Sequence, residues 1–108
     1  MRHCLCLDLK DDAKLIAEYE EHHTKVWPEV LLSLENAGIL SAEIYRWKNR
    51  IFMILETKPG FTFEEKLRLD AENEKVLEWE KLMWKYQKTL PGVKEGSKWQ
   101  LMKKIFTM

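Results

Sequence analysis

The stretch SAEIYRWKNRIFMILE, residues 41–56, decides the fold. It holds two runs rich in β-branched and aromatic side chains, SAEIYRW (41–47) and RIFMILE (50–56), with only Lys48 and Asn49 between them. So short a connection between such runs predicts an antiparallel hairpin. Asn49 is the residue expected to take the positive φ of the turn, because asparagine tolerates left-handed backbone.

On both sides of this hairpin lies a helical region and then an outer strand. Upstream, HCLCLDL (3–9) alternates His3, Leu5, Leu7 and Leu9 against Cys4, Cys6 and Asp8, a strand period. Asp11 or Asp12 can cap a helix that starts near Ala13. Ile16, Tyr19, His23 and Trp27 share one side of that helix, at spacings of three or four. Pro28 predicts a bend near Trp27 and opens a second helical piece carrying Val30, Leu31 and Leu34, which ends at Gly38. Downstream, KPGF (58–61) is a turn, and Thr62 with Glu65 three residues on is a capping signal. The helix that follows loosens at Asp70–Asn73. It resumes through residues 74–90, where Val76, Trp79, Met83, Tyr86 and Leu90 form an apolar stripe, and stops at Pro91-Gly92. Residues 98–106 read as a last strand, with Trp99, Leu101 and Ile105 alternating with polar positions. The order β-α-β-β-α-β predicts an α+β, ferredoxin-like sandwich: four antiparallel strands with the helices on one face. Nothing in the chain would cover the other face, so a second copy packed sheet against sheet is expected.

Composition agrees with one domain spanning 1–108. A chain of 108 residues and 13.0 kDa has room for a single core. Eighteen basic side chains balance eighteen acidic ones, which removes the electrostatic reason to expect nucleic acid or an anionic membrane as partner. The longest apolar run, IFMIL (51–55), suits a buried strand and is far below the ~18 residues of a membrane span. The N-terminus reaches Asp8 too early for a signal-peptide core, and Cys4 and Cys6 read as small reduced hydrophobes, so a cytoplasmic protein is expected.

Five tryptophans in so small a domain point to an aromatic-lined pocket or a subunit interface. The spacing Tyr19-x-x-x-His23-x-x-x-Trp27 stacks a phenol, an imidazole and an indole on one helix face. Such a column is either a site with a proton-transfer group, a hydroxyl and an aromatic wall, or an amphipathic border with its polar tips in water. His22 and His23 diverge by about 100° on a helix, so they cannot share a metal ion, and no HExxH is present; His22 is expected on the solvent side. Trp79 belongs to the apolar stripe, while Trp84 sits beside it; each can be core, interface or a stacking wall for a sugar. Tyr45 can point into a pocket or into a dimer seam. No phosphate loop, G-x-S-x-G or dinucleotide fingerprint occurs, and RIFMILE lacks the aromatic-basic pattern of an RNA-reading strand.

The strings YEEHHTKVWPEV (19–30), GILSAEIYR (38–46), NRIFMILE (49–56), WEKLMWKYQKTLP (79–91) and KWQLMKKIF (98–106) together resemble the L-rhamnose mutarotase family, almost end to end. The resemblance implies a homodimeric ferredoxin-like (α/β) barrel. It implies an enzyme with no metal or organic cofactor that interconverts the α and β anomers of L-rhamnose. It places the family's acid catalyst at His23, a sugar-contacting tyrosine at Tyr19 and a sugar-lining tryptophan at Trp79. Trp27, Tyr45 and Trp84 are further expected sugar contacts. Two departures stand out: Glu80 and Ala42 occupy positions where characterised members carry a second tryptophan and a strand tyrosine. Trp84 or Tyr45 is expected to compensate. L-fucose, another 6-deoxy-L-hexose, is the alternative substrate. A non-catalytic sugar-binding domain and a cofactor-free monooxygenase are the alternatives on the same fold.

Overall fold

Leucine at every second position makes one strand the centre of the molecule. A computed structural model describes residues 1–108. That strand is β1 (Arg2–Leu9), followed by α1 (Ala13–His22), α2 (Pro28–Asn36), β2 (Ile39–Trp47), β3 (Arg50–Thr57), α3 (Phe63–Ala71), α4 (Glu74–Trp84), β4 (Gln87–Lys88) and β5 (Gln100–Leu101). The antiparallel sheet has the order β2-β3-β1-β4, with β5 also beside β1. This is the ferredoxin-like arrangement, with an open sheet and four helices.

Period-two patterning then sorts the side chains. Leu5, Leu7 and Leu9 of β1 and Ile51 and Leu55 of β3 are buried under the helices with Val30, Val76, Trp79 and Met83. Cys4, Cys6, Phe52 and Ile54 lie on the opposite face, where their register partners include Tyr45. Both cysteines are free thiols. On that face Tyr45 is 55% exposed and Trp47 72% exposed. Asp8 is buried there beneath a two-pronged bond from Arg50, with Nε–Oδ1 at 2.7 Å and a second nitrogen–Oδ2 contact at 3.1 Å. β2 is exposed along its whole length after Ile39, at the edge of the sheet.

The caps are those that local chemistry favours. Asp12 accepts from Leu15 N–H at 3.0 Å, Thr62 from Glu65 N–H at 3.2 Å, and Asn73 from Lys75 and Val76 N–H. Asn73 is what restarts the second helical region after the short break between Ala71 and Glu74.

Four local expectations fail, each for a tertiary reason. The hairpin turn is as short as expected, but its left-handed residue is Lys48 (φ 52), not Asn49. Asn49 is tied to the end of β1 instead: its carbonyl accepts from Leu9 N–H at 2.6 Å and its Nδ2 donates to Leu9 O at 3.1 Å. The first helix does not bend at Trp27 but ends at His22, and five residues separate it from Pro28. The helix expected through residue 90 stops at Trp84. Lys10 N–H bonds Tyr86 O at 2.8 Å and Gln87 pairs with Leu9, so the free edge of β1 claims these residues as β4. Finally, the strand expected over 98–106 pairs only at Gln100–Leu101, and Met102 N–H adds one further bond, to Cys4 O. The fourth strand of the fold is thus two short pieces sharing one edge of β1.

Leu7 is 0% exposed in the centre of this core. Leu7→Ala is expected to lower unfolding stability by about 3 kcal/mol, measured by urea denaturation. A loss below about 1 kcal/mol would show that β1 does not organise the core.

Candidate active site

The chain leaves helical geometry at the C-terminal end of α1, and that exit sets the orientation of His23. Its Nδ1 lies 2.8 Å from the carbonyl oxygen of Tyr19, one turn back. A carbonyl only accepts, so Nδ1 carries the hydrogen of the neutral ring and Nε2 holds the free lone pair. The same residue four positions earlier stacks on the imidazole, with ring centroids 4.5 Å apart. Tyr19 is 4% exposed, and its hydroxyl accepts from Gln87 Nε2 at 3.3 Å. Burial pushes the Tyr19 phenol above its ordinary pKa, partly opposed by the Gln87 bond, so it stays a neutral hydroxyl around neutral pH.

α4 supplies the facing aromatic. Trp79 meets His23 edge to face at 5.7 Å and Trp27 at 5.2 Å. Behind them stands a second polar group. His22 is half-buried rather than on the solvent side; its ring packs against Trp79 and Tyr86, with Nε2 3.1 Å from the Tyr86 hydroxyl. That hydroxyl donates to Glu18 at 3.3 Å, which obliges His22 Nε2 to be the donor toward Tyr86. Burial and the Glu18 carboxylate both raise the Tyr86 pKa.

Tyr19, His23 and Trp79 line one cavity of about 490 Å³ between the helices and the inner face of the sheet. That volume suits a small ligand of hexose size. Its floor is apolar, formed by Ile44, Ile51 and Met53. Its polar rim includes Arg46 paired with Glu20 at 3.2 Å, and Glu80 facing Lys98 at 3.6 Å. The arrangement offers a ring nitrogen that can give or take a proton, a neutral hydroxyl beside it, and an indole face. Those are the parts needed to move protons on a polar ligand with an apolar side.

The structure brings together some of the residues singled out from sequence and separates others. Trp27 does not line the cavity; it backs Trp79. Tyr45 is on the other face of the sheet, its hydroxyl 3.5 Å from Glu43. Trp84 is outside the cavity, with Lys98 Nζ 5.7 Å from its ring. Glu80 and Ala42 line the cavity, while Tyr45 and Trp84 stand outside it. The additional aromatic is Trp99, which the short β5 segment carries into the wall. Gln87 was missed for a different reason: extending the helix to residue 90 hides it, because only β4 pairing turns it toward Tyr19.

The L-rhamnose mutarotase family model matches residues 2–108. The chain belongs to the L-rhamnose mutarotase family. The family's members are carbohydrate isomerases, and this chain is an enzyme of that class. It is 43% identical over 109 residues to a Xanthomonas campestris protein named L-fucose mutarotase, covering 99% of this chain and 87% of that one. The crystal structure of an L-rhamnose mutarotase from Formosa agariphila superimposes with a TM-score of 0.73 at 21% identity, covering 100% of this chain and 98% of that one. A dimeric ferredoxin-like protein from an uncultured marine organism shares the fold at a TM-score of 0.55 and 18% identity, covering 99% of this chain and 90% of that one.

Trp79 is 8% exposed and touches both His23 and Trp27. Trp79→Ala is expected to cost about 3 kcal/mol of stability, by urea denaturation. A cost near zero would mean that Trp79 serves the cavity alone and not the core.

Proposed function

We propose that this mutarotase acts on a 6-deoxy-L-hexose, L-rhamnose or L-fucose, with His23 as its acid. What supports this most directly is the Nε2 of His23, unpaired within the chain and beside the Tyr19 and Trp79 walls of a hexose-sized cavity. In the opening direction, protonated His23 gives its Nε2 hydrogen to the ring oxygen. The C1–O5 bond breaks onto that oxygen while the anomeric hydroxyl loses its proton to a base and becomes the aldehyde. Rotation about C1–C2 turns the other carbonyl face inward, and the same transfers run in reverse to close the ring. Tyr19 hydrogen-bonds a sugar oxygen, and Trp79 lies against the C–H face of the sugar. Trp27 acts through Trp79, which it backs.

The choice between the two sugars lies with the wall formed by Glu80, Lys98 and Ala42. L-rhamnose and L-fucose differ in configuration at C2 and C4. A carboxylate and an open space where the family pattern has two aromatics alter which hydroxyls that wall accepts. The 43% identity to a protein named L-fucose mutarotase favours L-fucose as a serious second reading.

Saturation transfer between the α and β anomeric protons of each sugar tests the proposal by NMR. Wild-type protein should accelerate exchange, and His23→Ala should lose at least about 100-fold of it while keeping its circular dichroism. Full activity in His23→Ala would remove the assignment. Binding without faster exchange would make the domain a sugar-binding module.

We also propose a cytoplasmic homodimer closed through the bare sheet face, the two sheets together forming a barrel. Exposed Tyr45 and Trp47 beside half-buried Phe52 and Ile54 support that face, as does the dimeric relative in fold. Light scattering should give about twice the chain mass of 13.0 kDa, and Trp47→Glu should shift it toward the monomer. A wild-type monomer at micromolar concentration would overturn this.

A further inference from the structure

Gln87 is 6% exposed and sits in β4, the two-residue strand that the edge of β1 draws away from the end of α4. Its amide Nε2 donates to the Tyr19 hydroxyl oxygen at 3.3 Å, a buried contact. A phenol has one hydrogen to give and lone pairs on which to accept. Gln87 occupies the accepting side, and Tyr19 makes no other side-chain hydrogen bond within the chain. Its own hydrogen is therefore left for the cavity that both side chains line. We infer that Gln87 is a positioning residue, which holds the Tyr19 hydroxyl as a hydrogen-bond donor toward the sugar. The inference rests on the reading of Tyr19 as a sugar contact.

The amide is the right chemistry for this task. An N–H directed at a phenol oxygen polarises the O–H and makes it a better donor, in line with the Gln87 bond opposing the effect of burial on Tyr19. A carboxylate in the same place would only accept. It would turn the Tyr19 hydrogen away from the cavity. Leucine would leave the hydroxyl free to rotate.

A double-mutant cycle on the full-length protein separates this role from simple packing, with anomer exchange of L-rhamnose and L-fucose as the readout. Gln87→Leu is expected to lower kcat/KM by about tenfold in the wild-type background and by less than about twofold when Tyr19 is already phenylalanine. Gln87→Glu should lose more than Gln87→Leu at neutral pH, and should recover as the pH falls and its carboxyl is protonated and able to donate. Equal losses from Gln87→Leu in both backgrounds would show that Gln87 only packs, and would overturn the inference. So would wild-type activity of Gln87→Glu at neutral pH, which also covers the case in which the leucine variant does not fold. If Tyr19→Phe alone has no effect on either sugar, the reading of Tyr19 falls, and this inference with it. If Tyr19→Phe is impaired while Gln87→Leu is not, only the inference falls.

Discussion

The pairing of β1 on both of its edges is the constraint on which the rest depends. Its leucines supply the centre of the core, and one edge is satisfied in full by β3, from Arg2 to Asp8. The other edge would leave backbone N–H and C=O groups buried and unpaired if it were not filled. It is filled from two places, by Gln87–Lys88 near Leu9 and by Gln100–Leu101 near Leu5. Those two short strands end α4 at Trp84 and bring Gln87 and Trp99 into the cavity wall. A backbone requirement at the centre of the sheet thus determines side-chain chemistry at the site.

The end of α1 is the second decisive place. The carbonyls of a last helical turn lack partners within the helix. Here one of them, on Tyr19, takes the Nδ1 hydrogen of His23. The same bond that satisfies a helix end selects the imidazole tautomer and leaves Nε2 for chemistry. The spacing of four residues matters because it puts the donor ring directly over the acceptor turn, and the phenol of Tyr19 under the imidazole. The orientation of His23 against Tyr19 thus has a local physical basis, before any contact with α4.

Much of this was legible in the residues. The hairpin, the leucine alternation, the Asp12 and Thr62 caps and Pro28 at the start of a second helix are local signals, and local structure followed them. That Tyr19 packs on His23 was also within reach, because a spacing of four residues needs only one helix. Tyr45 and Trp84 were not separable from them by sequence. A strand side chain changes face with a single-residue change of register, and a tryptophan one step off a helical stripe reaches either the core or the rim. His22 was misplaced for the same reason: its burial comes from Tyr86, which is 64 positions away.

Local signals in the sequence specify the element order, the α+β class and the inward face of β1. Each rests on periodicity, capping or spacing along one stretch of chain. Only the tertiary structure decided which residue takes the left-handed turn, where α4 stops, how the fourth strand divides, and that Gln87, Glu80 and Trp99 face the cavity while Tyr45 and Trp84 do not. These depend on hydrogen bonds and packing between residues far apart in the chain. Propensities of a few tenths of a kcal/mol per residue yield to such contacts.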